Sequence, residues 1–230
     1  MPRAAFAPFS YLGEEWRLFA SGALWRPATA SLFVADLHLE KASWYARQGQ
    51  MLPPYDSQET LRRLAEAQRI SGARQIWALG DTFHDDAGPA RLAPQARAQL
   101  GAIAAAAAIT WITGNHDPAI GSAALPGRAA TTAMADGIAL VHQAQPHAAG
   151  PELSGHFHPK FRAALAGRRI ARPCAVLGGN RLILPAFGAL TGGLDAASPA
   201  IAAALAPAAP LCALVFAGRA VAHCRLLPAP

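Results

Sequence analysis

The chain has 230 residues and is 53% apolar, enough to bury one sizeable core and too apolar for a globally disordered chain. Its formal charge of +6 and pI near 9.9 favour polyanionic partners such as nucleic acid, although a generally basic globular protein carries the same balance. Its three cysteines (Cys174, Cys212, Cys224) fit no zinc motif and read as reduced, structural thiols.

Taken in chain order, the opening Met1-Pro2-Arg3-Ala4-Ala5-Phe6 lacks the apolar stretch of a signal peptide, so a cytoplasmic protein is expected. Residues 16–20 and 23–25, separated by Ser21-Gly22, predict a small hairpin. Residues 31–35 form a buried strand that ends at Asp36. Leu61, Leu64, Ala65 and Ile70 fall at helical spacing over 57–70, closed by Gly72. A second buried strand, 76–79, ends at Gly80-Asp81. An alanine-rich helix follows over 90–108, and a third strand, 109–113, breaks at Gly114-Asn115. Alternation of this kind predicts a parallel sheet with helices outside it.

Beyond about residue 128 the pattern changes to short strands between Gly and Pro: 129–134, 138–142, 151–155, 170–176, 181–184, 211–216 and 220–226. A second, mixed or antiparallel sheet is expected, with one domain spanning 1–230. The uncharged stretch 196–217 is interrupted by Pro199, Pro207 and Pro210, so it reads as a short helix and a strand, with no membrane span. Eighteen of the twenty basic residues are arginine, and Arg168, Arg169 and Arg172 form the densest group. No stretch interleaves clustered arginines with aromatics, so no stacking platform for a single strand is legible.

Five polar motifs each follow a strand-like run: Asp36-Leu37-His38, Gly80-Asp81-Thr82-Phe83-His84, Gly114-Asn115-His116-Asp117, His142, and Gly155-His156-Phe157-His158. Six of the eight histidines lie in them. Singly these are weak signals, since Gly-Asp after a strand is often a turn and a lone histidine in an apolar run is often a core residue. Together they place nitrogen and oxygen donors on loops at strand ends, as a pair of divalent cations requires. Glycine before a ligand would let the backbone turn sharply out of the strand.

The ordered set resembles the calcineurin-like metallophosphoesterases. It is more similar still to the bacterial ligase-associated DNA-damage-response phosphoesterases and endonucleases. The likeness lies in Val34-Ala35-Asp36-Leu37-His38-Leu39, Leu79-Gly80-Asp81-Thr82-Phe83-His84-Asp85, Gly114-Asn115-His116-Asp117-Pro118, Gly155-His156-Phe157-His158-Pro159, Arg172-Pro173-Cys174 and the glycine-rich run 184–194. Two departures stand out: Glu40 occupies a position that is usually glycine, and His142-Gln143-Ala144 is looser than the usual fourth motif.

The resemblance implies an α/β (α+β) protein, a four-layer αββα sandwich of two mixed sheets flanked by helices. It implies one metal held by Asp36, His38, Asp81 and His158 and a second held by Asp81, Asn115, His142 and His156, with Asp81 bridging. Manganese is implied, with zinc or iron as alternatives, and a bridging hydroxide as nucleophile. His116 is the candidate general acid or leaving-group stabiliser, with Asp117 orienting its ring. His84 and Asp85 are expected to brace the site, the alternative being a phosphate contact. Lys41 and Lys160, the only lysines, could each set an ammonium near the scissile phosphate or stand as solvated surface residues. The run 185–194 is expected to be a structural crossover that also shapes the pocket.

The implied function is a phosphodiesterase or nuclease acting on DNA in repair, beside a ligase and a helicase and with no membrane. Two alternatives are an esterase or pyrophosphatase for a small nucleotide-like substrate and a metal-stabilised partner-binding module.

Overall fold

The computed structural model describes residues 5–165 and 167–227; the opening residues 1–4, considered above for a leader, lie outside them. Four strands open the fold: β1 (Phe6–Tyr11), β2 (Glu14–Phe19), β3 (Leu24–Arg26) and β4 (Ser31–Val34), each antiparallel to the next. They continue into β5 (Gln75–Leu79), β6 (Ala108–Ile112) and β7 (Arg128–Ala130), which run parallel to β4. The first sheet is therefore mixed, and the expected opening hairpin is one part of a four-strand meander.

Helices α1 (Lys41–Arg47), α2 (Asp56–Ser71), α3 (Gly88–Arg91) and α4 (Pro94–Ala106) make the β4–β5 and β5–β6 crossovers. The expected single helix 90–108 is two, because Leu92 and Ala93 leave helical geometry before Pro94 restarts it. The second seven-stranded sheet has the order β16-β15-β13-β14-β10-β9-β8. Its strands are β8 (Ala133–Ala135), β9 (Ile138–Leu140), β10 (Glu152–Ser154), β13 (Ala175–Gly178), β14 (Arg181–Ile183), β15 (Cys212–Phe216) and β16 (Val221–Arg225). A separate two-stranded ribbon, β11 (Lys160–Leu165) and β12 (Arg168–Pro173), pairs with neither sheet. Helix α5 (Pro199–Ala204), capped by Ser198, sits in the uncharged stretch before β15. Among the described residues no helix is long and apolar enough to cross a membrane.

Three layers of apolar side chains bind four layers of structure. Alternate residues of each central strand face opposite ways. Leu32 and Val34 of β4 and Ile76 and Ala78 of β5 join Leu61, Leu64, Leu100 and Ile103 beneath α2 and α4. Phe33, Trp77 and Leu79 point the other way and meet Leu153, Leu182 and Leu214 between the sheets. Val176, Ile183 and Ala213 pack outward onto Ile201 and Leu205. The αββα sandwich is thus specified by strands buried on both faces, and it brings the ends of β4, β5 and β6 opposite those of β9 and β10.

Candidate active site

The loops after β4 and β5 run side by side. His38 N–H donates to Asp81 O at 2.9 Å, Leu39 N–H to Thr82 O at 2.9 Å, and His84 N–H to Leu39 O at 3.0 Å. Asp36, His38, Asp81, His156 and His158 all hold left-handed backbone, with φ between 44° and 72°. Each such residue costs about 1–3 kcal/mol, and strain of that size collects where side chains must be aimed.

The glycines serve a different purpose from the one the sequence suggests. Of Gly80, Gly114 and Gly155, only Gly80, at φ 82°, needs left-handed freedom; the other two supply space. A Cβ on Gly80 would meet His142 Nδ1 at 2.2 Å, and one on Gly155 would meet Asp36 Oδ2 at 2.6 Å. Each glycine makes room for a side chain from another loop.

The donors converge in two groups, Asp36 with His38 and His158, and Asp81 with His142 and His156. His38 Nε2 lies 3.2 Å from His158 Nε2, and His156 Nδ1 lies 3.2 Å from His142 Nε2. Asn115 Oδ1 sits 2.9 Å from ring nitrogens of both His142 and His156. Asp81 faces both groups, with Oδ1 3.4 Å from His142 Nε2 and Oδ2 3.8 Å from His38 Nε2. His142, the loosest match by sequence, is well oriented: its Nδ1–H donates to Leu79 O at 3.0 Å, which leaves Nε2 aimed at Asp81 and Asn115. Backbone amides support the carboxylates, His116 N–H to Asp81 and His156 N–H to Asp36.

Electrostatics favour a cation here. Burial, then His158, pushes the His38 ring down to about 2, and burial also lowers His156, so both rings are neutral donors at pH 7. Burial opposes charge on His142 too, yet Asp81 raises that ring to about 9. A divalent ion taking the place of that proton would meet the same carboxylate. Facing pairs of imidazole nitrogens at 3.2 Å, two carboxylates and an amide, without a thiolate, fit divalent metals.

His116 lies beside this set, its ring 5.0 Å from that of His38. The expected orienting role of Asp117 does not hold. The Asp117 carboxylate accepts from Phe83 N–H at 3.0 Å and Gly114 N–H at 3.1 Å, tying the second loop to the third. Burial lifts its carboxyl to about 7. The ring of His116 is held instead by His84, whose carbonyl accepts from His116 Nδ1–H at 2.9 Å.

His84 also stacks on His116 at 4.9 Å and 23°, and Tyr45 stacks on His84 at 6.0 Å and 18°. Trp44 meets His84 edge-on at 4.9 Å. The sequence reading missed Trp44 and Tyr45; the only signal was an aromatic pair shortly after Asp36-Leu37-His38. His84 Nδ1 comes within 3.3 Å of His38 Nδ1, so His84, His38 and His116 form a further close group. Asp85 is bound bidentately by Arg91, whose Nε–H donates to Ser43 Oγ.

Burial lowers the His84 ring to about 4, and Lys41, half-buried at the start of α1, is close enough to add to that shift and to the one on His38. Lys160 turns to the carbonyl of Thr191 at 3.4 Å. Glu40 adopts φ 63°, which accounts for glycine being usual there, and its buried carboxylate accepts from Ser57 Oγ–H at 2.8 Å. The run 185–194 is a tight crossover, with Phe187 N–H donating to Ala35 O and Gly188 N–H to Asp36 O.

No family model and no curated protein matches the chain. Among solved structures, the Pseudomonas putida nuclease MPE aligns at 30% sequence identity with a TM-score of 0.68, covering 90% of this chain and 96% of that one. Yfce, a phosphoesterase from E. coli, aligns at 17% identity with a TM-score of 0.41, covering 86% of this chain and 99% of that one.

Proposed function

This chain belongs to the metallophosphoesterase family of nucleases and phosphoesterases, and from that premise we propose that it is a metal-dependent phosphodiesterase acting on DNA. The observation that carries the reading is the convergence of Asp36, His38, Asp81, Asn115, His142, His156 and His158 from five loops into two adjacent donor groups at the strand ends. Asp36, His38, Asp81 and His158 would hold one ion and Asp81, Asn115, His142 and His156 the other, with Asp81 common to both. Such ions, manganese by preference and zinc or iron as alternatives, supply a nucleophilic water at neutral pH and neutralise charge on the phosphoryl oxygens.

The chain's own groups complete the chemistry. His116 gives its Nδ1–H to the carbonyl of His84, so Nε2 is the atom that delivers a proton to the leaving oxygen. His84 braces that ring by stacking, and Lys41 sets an ammonium near His84. Asp117 fixes the loop that carries Asn115 and His116.

A cytoplasmic repair setting beside a ligase and a helicase rests on the motif resemblance, and a nucleic-acid substrate gains support from the basic charge and the nuclease likeness. The test is a panel of metals with a chromogenic phosphodiester, a phosphomonoester and labelled single- and double-stranded DNA. Manganese-dependent cleavage of the diester and of DNA is expected. Hydrolysis of the monoester alone would overturn the reading.

A further inference from the structure

The ribbon β11–β12 leaves the site directly. Lys160, its first residue, stands two positions after His158, and the ribbon's base is pinned by Cys174 N–H to Pro159 O, Lys160 N–H to Leu194 O and Ala196 N–H to Lys160 O. The segment that pins it is fastened to Asp36 through Gly188. Six residues per strand give the ribbon a length of about 20 Å, or about six phosphate steps of a stacked strand.

Residues 160–173 carry five cations (Lys160, Arg162, Arg168, Arg169, Arg172) and no acid. Without them the chain would hold fifteen basic against fourteen acidic side chains, so nearly all of its +6 sits on this ribbon. Register distributes the charge. Arg162 lies opposite Ala171 and Arg169 opposite Ala164, which puts both arginines on one face beside small side chains; Arg168 and Arg172 occupy the other. All four arginines are exposed. Among the described residues the side chains of Arg168, Arg169 and Arg172 have no hydrogen bond or ion pair, and that of Arg162 has a single long contact with Asp195 at 3.9 Å. Guanidinium groups without such partners are free to take phosphate oxygens.

We propose that the ribbon Lys160–Pro173 is a nucleic-acid-binding arm, gripping the backbone of the strand that flanks the phosphodiester to be cut. The inference rests on the phosphodiesterase reading above and extends it to polymeric substrates. An arm built this way acts on affinity, since its cations meet phosphates remote from the reacting one.

The test compares the wild type with R168Q/R169Q/R172Q, whose fold is checked by circular dichroism. Anisotropy of a labelled single strand of about thirty nucleotides is titrated against salt in EDTA, and hydrolysis of that strand and of bis-p-nitrophenyl phosphate is followed with manganese. The variant is expected to bind the strand about tenfold more weakly or worse, with a salt slope shallower by about 2 for three lost phosphate contacts. KM for the strand should rise while turnover of the small diester stays unchanged. Equal strand affinity and salt slope in both proteins would overturn the arm and leave the phosphodiesterase standing. Loss of small-diester and strand hydrolysis in equal proportion would assign the ribbon a structural role and also overturn it. Binding to anionic vesicles that falls in the variant while strand affinity holds would make the arm a membrane contact. If the wild type bound the strand as expected but hydrolysed no diester with any metal, the phosphodiesterase reading would fail while the arm was upheld.

Discussion

A Cβ on Gly114 would lie 2.1 Å from Oδ1 of Asp81 and 2.2 Å from its backbone nitrogen. The third loop is therefore moulded around the carboxylate shared by the two donor groups. Gly114→Ala must displace either that carboxylate or the loop bearing Asn115, and overpacking of this kind costs about 1–3 kcal/mol. A lowered melting temperature is expected, with weakened manganese uptake in calorimetric titration. Gly101 of α4 is the control: a Cβ there meets nothing within 4 Å. Gly101→Ala should stabilise the helix by about 0.5–1 kcal/mol without touching activity. Wild-type manganese affinity in Gly114→Ala would show that the loop relaxes freely.

Asp81→Asn keeps the shape of the shared group and removes its charge. Supporting contacts to a metal site are worth about 10–100-fold in affinity or activity, and a shared carboxylate should exceed that. For the wild type, manganese at about a hundred times its Kd should add about 2.7 kcal/mol of stability, measured as a rise in melting temperature. That rise should vanish in Asp81→Asn, and EDTA should abolish wild-type hydrolysis. An equal manganese-induced rise in the variant would remove Asp81 from the ligand set.

His116 offers a separation by leaving group. If its Nε2 protonates the departing oxygen, His116→Asn should lower kcat on DNA, whose alkoxide is a poor leaving group, by about 10²–10⁴-fold. The loss on bis-p-nitrophenyl phosphate should be far smaller, because p-nitrophenolate departs without a proton. Equal losses on both substrates would mean that His116 positions the loop and transfers no proton.

How much of this was legible beforehand depends on what each segment had to tell. The converging donors were readable because the loops that carry them follow strands buried on both faces, and such strands announce themselves as apolar runs. The edges were harder. Pro8 hides β1, which lies at the end of its sheet, where a missing N–H is tolerated. Helix α1 buries only Ala42, and its first turn is capped from a distance by Asp56, not by its own N-cap residue Glu40, so neither period nor local cap betrays it. The expected strand 129–134 is two strands, β7 and β8, in different sheets, and 170–176 is likewise divided between β12 and β13. Alternation registers burial but is silent about which sheet a strand joins. Trp44 and Tyr45 became site residues only when α1 folded back over His84. The basic ribbon was visible as three arginines, and register alone revealed its two faces.

Glu152 and Arg181 lie side by side on parallel strands, 4% and 3% exposed. Arg181 donates to the carbonyls of Gln145, Ala204, Leu205 and Ala206, closing the end of α5 onto the second sheet. Glu152 is less well served: its Oε1 is buried without a partner, and burial raises its pKa despite the attraction of Arg181. A carboxyl raised on folding stabilises the fold below its ordinary pKa, and that contribution is lost as pH climbs through the folded value. Glu152→Gln stays neutral throughout, so it should match or trail the wild type near pH 4 and exceed it at pH 7, as read by urea denaturation at both. Arg181→Met takes a donor from each of the four carbonyls, three of which keep a backbone N–H, and removes the cation that attracts the buried Glu152; it should cost about 3–5 kcal/mol at pH 7. Combined with Glu152→Gln it should cost measurably less than the two effects added, since each change removes the other's stranded charge. Strict additivity would mean that the pair does not interact and that the desolvation of Glu152 is relieved by water.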